Sequence, residues 1–494
     1  MELQNVRVRF APSPTGRMHL GSARTALYDY LYARRQGGKF VLRIEDTDRK
    51  RFVPQAEQEL IDGLDWLGLH YDEGPGVGGA FGPYRQTERL EIYRQHAARL
   101  VEAGKAFPCF CTPDRLERIR QEQLKQKQNP HYDGTCRQLD PGEAARRIQA
   151  GERHVVRLKT PQEGATTVVD LLRGSITVEN KMIDDSILIK SDGYPTYHFA
   201  AMVDDHLMEI THVIRGSEWQ STLPLHALVL RAFGWEEPVW VHLSVFLKPS
   251  GKGKMSKRDA AQAIQDGHSI FIGDLKSLGY IPEGVLNWIV LMGWGVAEND
   301  VMTLDEMVQR FDIAGLNPAP AAVDFAKLDH FNATHIRALQ PGDLASRLKP
   351  YFQKAGCQVE DARLLQIIPL LRERLVTLDD CIPFGAFFFR EQVDPQPGDL
   401  VGKNLTAKGS AEVLRHCLQV LEALAVITPD TAEAPMRSLV KELGLTAGQV
   451  FGILRAAVTG QTVSPPLFES MAVIGKKKVV ERIRSAIAIL EKMG

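Results

Sequence analysis

Residues 6–45 read VRVRFAPSPTGRMHLGSARTALYDYLYARRQGGKFVLRIE, and this stretch decides the fold of the first half of the chain. Apolar and polar residues alternate over 6–10, as in a short strand with one buried face. A turn-rich loop follows, and Ser22 is placed to cap a helix that ends at Gln36 before two glycines. Residues 39–45 then have the pattern of a second strand. Strands joined in this way run parallel, so the pattern predicts an α/β fold whose doubly wound parallel sheet binds its ligand beyond the carboxyl ends of the strands.

The rest of the sequence divides into an interrupted α/β region and a helical half. Predicted strands return at 186–190, 210–215 and 239–247. The segment before them differs in character, because it carries clustered cysteines and its own strand-rich part. After residue 259 helical periodicity dominates, and a turn-rich stretch at 428–435 predicts a break. We predict an α/β domain split between 1–90 and 186–258, an inserted α+β subdomain at 91–185, a helical region at 259–330, and an all-α domain at 331–494 that breaks near 394–400.

The composition predicts a large multidomain protein with no dominant surface charge. The chain has 494 residues, is 44% hydrophobic and carries a formal net charge of −1. Any nucleic-acid surface must therefore be a local basic patch. No charged and apolar leader is visible, and the longest mostly apolar stretch, 285–296, is too short to span a bilayer. We therefore expect a cytoplasmic protein with no membrane contact. The six cysteines lack the spacing of a disulfide framework, so we expect reduced thiols.

The loop after the first predicted strand has the features of a phosphate site. Ser13-Pro-Thr-Gly16 forces a turn, and His19-Leu-Gly21 leads into the helix, whose first N–H groups lack partners. A helix N-terminus favours phosphate, and His19 can donate to a phosphate oxygen. Gly21 has no Cβ that would block a nucleotide. Taken alone, these residues also fit a capped helix after a tight turn.

A second segment, PSGKGKMSKR at 249–258, adds four cationic residues in a glycine-containing loop. Lysine is a compact point charge that suits phosphate groups. The alternative for the lysines alone is a solvated basic loop. The position of this loop after the last predicted strand favours the phosphate interpretation.

These segments resemble the two signature motifs of class I aminoacyl-tRNA synthetases in their glutamate-specific form. Residues 9–24, followed by 43–48, match the glutamyl-tRNA synthetases almost continuously. Further similarity covers 190–206 and 211–219, and 454–482 is similar to the anticodon-binding end of the bacterial enzymes. The resemblance implies a Rossmann-like catalytic domain, activation of glutamate by ATP with Mg²⁺, and transfer of glutamate to the 3′ terminal adenosine of tRNA(Glu). It also implies that activation itself needs tRNA.

The resemblance and the chemistry of the substrates together predict the site residues. In an in-line attack of a carboxylate on the α-phosphate, positioning and charge stabilisation matter more than covalent chemistry. The predicted catalytic residues are His19, Lys254 and Lys257. The predicted ATP-binding residues are Pro12, Gly21, Ser22, Met255, Ser256, Lys257 and Arg258. The predicted glutamate-binding residues are Arg9, Ser13, Glu45, Tyr197 and Arg215.

Glutamate carries two carboxylates and one ammonium, so a selective pocket needs arginine and an acid. Arg9, Glu45 and Arg215 meet this description, and a buried Arg9 would reject glutamine for lack of a counter-charge. The alternative is ordinary surface ion pairing, which we expect for Arg43 and Asp46. Tyr197 could equally be a core aromatic residue.

A cluster of cysteines in the insertion suggests a structural zinc site. Cys109, Cys111 and Cys136 supply three thiolates, and tetrahedral zinc needs one more ligand. Two residues beyond Cys136, where some glutamyl enzymes have histidine, this chain has Gln138. Tyr132 has the placement of a tyrosine ligand in the related glutamyl-queuosine enzymes, and His131 is a further candidate. The alternative is a set of free buried cysteines.

Asp204, Asp205 and His206 form an acidic run that could suggest another metal site. They lack a further ligand at suitable spacing, so we interpret them as polar groups at a helix end near the site.

The helical half predicts a macromolecular partner, because catalysis by the first half does not explain why this helical half is present. We expect tRNA(Glu), with tRNA(Gln) as a second candidate, and a monomeric enzyme. The lysines at 476–478 are predicted to lie on a solvated helix face. Three alternative functions fit less well. The glutamyl-queuosine enzymes lack such a helical module, and a non-catalytic scaffold derived from a synthetase would have lost His19, the Lys257 loop or Arg9. A small-molecule nucleotidyltransferase would leave the helical half unused.

Overall fold

The computed structural model describes residues 5–255, 257–296 and 300–493. It has two compact units, one formed by Met1–Leu275 with Leu286–Phe325 and the other by Lys276–Val285 with Ala326–Gly494. Within the described ranges, every strand belongs to the first unit, and the second is helical. The predicted combination of an α/β first half and an all-α second half is therefore confirmed.

The strands are β1 (Arg7–Phe10), β2 (Lys39–Leu42), β3 (Ala106–Cys109), β4 (Val155–Leu158), β5 (Ala165–Asp170), β6 (Gly174–Glu179), β7 (Ile187–Ile189), β8 (His212–Gly216), β9 (Val239–Leu243), β10 (Phe246–Leu247) and β11 (Ala321–Ala322). The helices of the first half are α1 (Leu20–Arg35), α2 (Ala56–Trp66), α3 (Leu90–Glu102), α4 (Pro113–Lys125), α5 (Pro141–Gln149), α6 (Tyr197–Leu207), α7 (Leu223–Phe233), α8 (Lys257–Gln265), α9 (Ile272–Ser277), α10 (Pro282–Leu291) and α11 (Leu304–Arg310). The later helices are α12 (Phe325–Ala338), α13 (Pro341–Lys354), α14 (Asp361–Leu371), α15 (Cys381–Gly385), α16 (Ala407–Ala423), α17 (Pro429–Glu442), α18 (Ala447–Thr459), α19 (Leu467–Ile474) and α20 (Lys476–Glu491).

The main sheet of the first unit has six strands in the order β2-β1-β8-β9-β5-β6. The first five strands run parallel, and β6 pairs antiparallel with β5 at one edge. The chain moves from β1 outward to β2 and then back to β8, so a topological switch lies between β1 and β8. The carboxyl ends of strands at such a switch are the usual position of a ligand.

The segment 91–185 contributes to two different sheets. β3 and β4 form a separate antiparallel sheet with β7, which the sequence had grouped with the strands of the α/β domain. β5 and β6 instead extend the main sheet next to β9. Local strand patterns carry no information about which sheet a strand joins, because pairing depends on contacts distant in sequence.

The second unit packs the later helices around a core of aliphatic and aromatic side chains, such as Leu348, Phe352 and Ile367. The predicted break at 428–435 is wrong, since this stretch begins α17. Thr428 caps the helix by accepting from Thr431 N, and Pro429 lies at the first turn, where a missing N–H costs nothing. No helix in the described ranges is long and apolar enough to cross a membrane.

Candidate active site

His19 lies directly before α1 and caps this helix with its own side chain. Its Nδ1 accepts from the backbone N–H groups of Gly21 at 3.0 Å and Ser22 at 3.2 Å. The predicted cap at Ser22 is therefore wrong, because α1 begins two residues earlier, at Leu20. A ring whose Nδ1 accepts carries the proton of its neutral form on Nε2. His19 thus presents an N–H donor at a helix N-terminus, where phosphate binding is favoured.

The surroundings of His19 favour this neutral ring. The ring reaches solvent, but the protein around it lowers the pKa of His19 by desolvation. The carboxylate of Glu218 opposes this effect, and the ammonium of Lys254 adds to it. The electrostatic influence of Lys254 on His19 means that the two predicted phosphate segments approach each other.

Gly21 also has a structural role at the start of α1. A Cβ at this position would lie 2.9 Å from Cε1 and 3.1 Å from Nδ1 of the His19 ring. Such contacts are too close, so any side chain at residue 21 would displace the imidazole from its capping position. The glycine therefore makes room for the histidine cap itself.

The lysine loop leaves β10 and returns beside it. Lys254 pairs with Leu247 in an antiparallel bridge, and Met255 N donates to Phe246 O at 3.2 Å. Lys254 is exposed, and Met255 is half-buried. Ser256 lies outside the described residues. The side chains of Lys257 and Arg258 are also outside the description, although Lys257 begins α8.

A third segment, which the sequence did not indicate, pairs with the first of these two. Leu20 N donates to Ile270 O at 2.7 Å, and Ile272 N donates to Met18 O at 3.0 Å. Residues 270–272 therefore pair with the backbone on either side of His19. Backbone pairing of this kind leaves no side-chain pattern that sequence reasoning could detect.

The predicted glutamate-binding residues lie at or just after the carboxyl ends of β1, β2 and β8 and at the start of α6. Burial raises the pKa of Tyr197 to about 12, and the charges of Glu45, Arg215 and Arg9 all act on this hydroxyl. These four side chains therefore lie in one electrostatic neighbourhood. Tyr197 is half-buried and packs against Trp219 in a tilted arrangement, with ring centroids 4.2 Å apart.

Ser13 and Pro12 lie in the loop after β1. Ser13 is exposed in a tight turn in which its carbonyl accepts from Thr15 N at 2.8 Å. The carbonyl of Pro12 accepts from Glu45 N at 3.0 Å, which ties the loop after β1 to the loop after β2.

Arg9 is buried and already has an anionic partner. Its Nε donates to Asp205 Oδ1 at 3.1 Å, and its Nη1 donates weakly to the carbonyl of Ile214 at 3.5 Å. Asp205 also accepts from Arg43 Nη1 at 2.8 Å. The two guanidinium groups hold the pKa of Asp205 below its usual range despite its burial.

Arg43 is wholly buried, so the predicted surface ion pairing is wrong for this residue. Its Nη2 donates to Glu45 Oε1 at 2.9 Å. Burial nevertheless raises the pKa of Glu45 to about 7, because desolvation outweighs the opposing charges of Arg43 and Arg9. Asp46 is also buried and accepts from Thr87 N at 2.9 Å.

Asp204 and Asp205, the two acidic residues of α6, accept hydrogen bonds from buried arginines. Asp204 accepts from Arg89 Nε at 2.8 Å, Tyr93 Oη at 2.8 Å and Gln86 Nε2 at 3.0 Å. Both carboxylates are buried counter-ions near the end of α6, and their place beside the substrate stays a prediction.

Arg215, at the end of β8, is held differently from Arg9. Its Nε donates to His242 Nε2 at 2.9 Å, and its Nη2 donates to His226 Nδ1 at 2.9 Å. Its Nη1 is buried and has no hydrogen-bond partner in the described part of the chain. The two histidines were missed by sequence reasoning, because they lie on β9 and α7 and belong to no local motif.

Comparison with known proteins identifies the family. Residues 5–330 match the catalytic domain of class I tRNA synthetases for E and Q, and 343–487 match an anticodon binding domain. The chain is 41% identical over 494 residues to the glutamate–tRNA ligase of Dehalococcoides mccartyi, covering 99% of each, and 42% identical over 496 residues to that of Borrelia recurrentis, covering 99% of this chain and 96% of that protein. The chain belongs to the glutamate–tRNA ligase family. The class I catalytic domain and the ligase activity expected from the sequence are confirmed.

A solved structure agrees with this assignment to the glutamate–tRNA ligases. The glutamate tRNA ligase from Elizabethkingia meningosepticum, solved in complex with its amino acid, is 34% identical and superimposes with a TM-score of 0.88. The match covers 98% of this chain and 99% of that one. The fold of this ligase is thus shared over both units.

The cysteine cluster of this ligase family member brings its three thiols together. The sulfurs of Cys109, Cys111 and Cys136 all lie within 4.8 Å of one another. Tyr132 Oη lies 3.4 Å from Cys109 Sγ and 3.8 Å from Cys111 Sγ, and it accepts from Cys136 N at 2.8 Å. Gln138 and His131 are both exposed. The three converging thiols could therefore hold a zinc ion, for which thiolates are common ligands.

Proposed function

We propose that this ligase activates L-glutamate with ATP to glutamyl-adenylate and transfers glutamate to the 3′ terminal adenosine of tRNA(Glu), releasing pyrophosphate and AMP. The observation that carries the proposal is that Arg9 and Arg215 are buried on the neighbouring strands β1 and β8, while buried Glu45 is linked to Arg9 by ion pairs. Two guanidinium groups and one carboxylate complement the charges of glutamate. The phosphate-binding start of α1 follows the same strand that supplies Arg9.

At the phosphate end, His19 donates its Nε2 proton to a phosphate oxygen. Lys254 and Lys257 stabilise charge that develops on the phosphates as pyrophosphate leaves. The backbone around Gly21 and Ser22 offers helix N-terminal N–H groups, and Pro12, Met255, Ser256 and Arg258 border ATP. Mg²⁺ accompanies ATP and is held largely by phosphates and water, so we assign it no protein ligand.

At the amino-acid end, the ionised Glu45 accepts a hydrogen bond from the ammonium group of the substrate. Arg9 and Arg215 donate to the carboxylates of the substrate. Tyr197 and Ser13 complete the enclosure. Glutamine would place a neutral amide against a buried guanidinium, which leaves that charge uncompensated. The nearly complete burial of Arg9 and Arg215 supports this discrimination.

The cysteine cluster is proposed as a structural zinc site with Tyr132 as the fourth ligand. Zinc would cross-link the end of β3 to the loop that carries Cys136, within a small core of the insertion. Metal analysis of the parent and of Cys136→Ala tests the site, with the buried Cys417→Ala as a matched control. We expect one zinc in the parent and in Cys417→Ala, and less in Cys136→Ala. Equal metal content in all three proteins contradicts the site.

The helical domain at 331–494 is proposed to bind the anticodon, after the stem-contact region at 259–330. The acceptor end of tRNA then meets the insertion at 91–185, beside the catalytic domain formed by 1–90 and 186–258. We expect a monomer that acts in the cytoplasm. Charging assays with purified tRNA(Glu) and tRNA(Gln) decide whether the second tRNA is also a substrate.

The ligase proposal is tested by ATP–pyrophosphate exchange with glutamate, with and without tRNA. We expect exchange with glutamate and tRNA present, and none with glutamine in its place. Absence of exchange under both conditions contradicts the proposed activation step. Exchange that is equal with and without tRNA contradicts only the requirement for tRNA.

A further inference from the structure

Arg215 is a buried cation that the protein holds with neutral groups. The residue is 5% exposed, and in the described ranges the hydrogen-bond partners of its guanidinium are the rings of His242 and His226. Both rings are fully buried. Arg9, on the neighbouring strand, pairs instead with a carboxylate, at 3.1 Å from Asp205. Two imidazoles fix the direction of the Arg215 guanidinium without neutralising its charge.

The hydrogen bonds determine where the protons of both rings lie. Arginine only donates, so Nε2 of His242 and Nδ1 of His226 must be unprotonated acceptors. His242 therefore carries its proton on Nδ1, which donates to Asp170 Oδ2 at 2.7 Å. His226 carries its proton on Nε2, which donates to His198 Nδ1 at 2.9 Å. Burial lowers the pKa of both rings, which agrees with this neutral state.

This arrangement leaves one nitrogen for a ligand. Nε and Nη2 of Arg215 are each engaged at 2.9 Å, whereas Nη1 is buried and has no partner in the described part of the chain. A buried, unpaired donor on a cation that has no hydrogen-bonded carboxylate is costly unless an acceptor arrives with the substrate. A carboxylate satisfies both the hydrogen bond and the charge.

We propose that His242 and His226 are positioning residues that aim Nη1 of Arg215 at a carboxylate of glutamate. The inference rests on the proposed function, since it assumes that Arg215 contacts glutamate. Asp170 sets the tautomer of His242 from the far side of β9. The histidines act on substrate binding only through Arg215, so they affect glutamate and not ATP.

The test compares variants that keep the acceptor with variants that remove it. Asn Oδ1 occupies nearly the position of His Nδ1, so His226→Asn keeps an acceptor for Nη2, and His226→Leu does not. Gln Oε1 similarly replaces His Nε2, so His242→Gln keeps an acceptor for Nε, and His242→Met does not. Loss of a buried hydrogen bond to a charged group predicts a rise of about tenfold to a hundredfold in the KM for glutamate.

The expected pattern separates positioning from a general structural role. For His226→Leu and His242→Met we expect the rise in glutamate KM with an unchanged KM for ATP, and for His226→Asn and His242→Gln a glutamate KM near that of the parent. His212→Leu is the matched control, because His212 is a buried histidine of β8 that contacts Tyr32 and Thr211 instead of Arg215. Its glutamate KM should equal that of the parent.

Two results overturn the proposal. One is an unchanged glutamate KM in the folded His226→Leu and His242→Met variants while the parent is active. The other is a ¹⁵N NMR spectrum of the parent that shows a proton on Nδ1 of His226 or on Nε2 of His242, and this measurement needs no variant to fold. A parent without any glutamate-dependent exchange contradicts the proposed function itself, so the two failures are distinguishable.

Discussion

The two ends of the candidate site are built by different means. The phosphate end uses backbone and local geometry: a histidine caps α1, a glycine makes room for it, and the lysine loop turns back beside β10. The amino-acid end uses buried charges that come from β1, β2, α6 and β8. Phosphate carries several oxygens and tolerates many donors, whereas discrimination between glutamate and glutamine needs fixed charges in a dry pocket.

The largest effect is expected where the amino-acid end loses a charge. Arg9→Leu leaves Asp205 buried with one guanidinium fewer, and breaking a buried ion pair in this way costs about 3–5 kcal/mol in the free energy of unfolding. Glutamate-dependent exchange should be lost as well. Urea denaturation and exchange assays measure both quantities.

Arg51→Leu is the control for this prediction, because Arg51 pairs with Asp48 at 2.6 Å on the surface. Screened surface pairs contribute little, so we expect almost no change in stability or activity. Similar losses of stability in the two variants would mean that the pocket is not dry, and the contrast between the two ends would fail.

The phosphate end is tested by separating the two roles of His19. Asparagine is a good helix cap but has no donor at the position of Nε2, so His19→Asn should keep the stability of α1. Removal of one donor to developing charge predicts a drop in kcat of roughly 10²–10³. His19→Ala removes both roles and should in addition lower the free energy of unfolding by about 1 kcal/mol. A kcat for His19→Asn near that of the parent would exclude the donor role.

A smaller effect concerns the pH dependence of glutamate binding. The pKa of Glu45 is about 7 because of its burial, and only the ionised carboxylate attracts the substrate ammonium. As pH falls through about 7, Glu45 takes up a proton and the affinity for glutamate should weaken, by up to about tenfold per pH unit. Calorimetric titrations with glutamate, at pH values from about 5.5 to about 8.5, measure this slope.

Glu45→Gln provides the matched control, since it keeps the shape of the side chain and removes its titration. We expect weaker binding at pH 8 and no slope near neutrality. A slope in Glu45→Gln equal to that of the parent would assign the titration to another group.

The contrast between the two ends also explains how much the sequence could predict. His19, Gly21 and the lysine loop belong to short continuous motifs, so the phosphate segments and the parallel sheet were predictable from residues 6–45 and 249–258. The cap was misassigned because a histidine cap needs the ring to turn back on its own backbone, which depends on Gly21 having no Cβ.

The amino-acid end was only partly predictable. Arg9, Glu45, Tyr197 and Arg215 could be named from resemblance and from the charges of glutamate. Their partners could not, since Asp205, Arg43, His226 and His242 become neighbours only through strand order β2-β1-β8-β9. A residue such as Arg43 looks like a surface charge in sequence, because no local pattern distinguishes a buried ion pair from an exposed one.

The smallest expected effect concerns the pH dependence of stability, and it comes from Asp29 of α1. This carboxyl is fully buried, and both of its oxygens lack a hydrogen-bond partner in the described part of the chain. Burial raises its pKa well above the usual value, more than the charge of Arg9 can offset. The folded state therefore holds a proton that the unfolded state releases at lower pH. The free energy of unfolding falls as pH rises above the pKa of Asp29 in the unfolded state, and it stops falling once pH exceeds the pKa in the folded state.

Asp29→Asn removes this titration with little change in size. We expect the variant to gain free energy of unfolding relative to the parent as pH rises from about 5 to about 8, while the glutamate KM stays the same. Urea denaturation at several pH values measures the gain. A constant difference between the two proteins would mean that Asp29 is ionised and paired, and the buried charge at the amino-acid end would then extend one helix further than the ion pairs of Arg9 and Arg43.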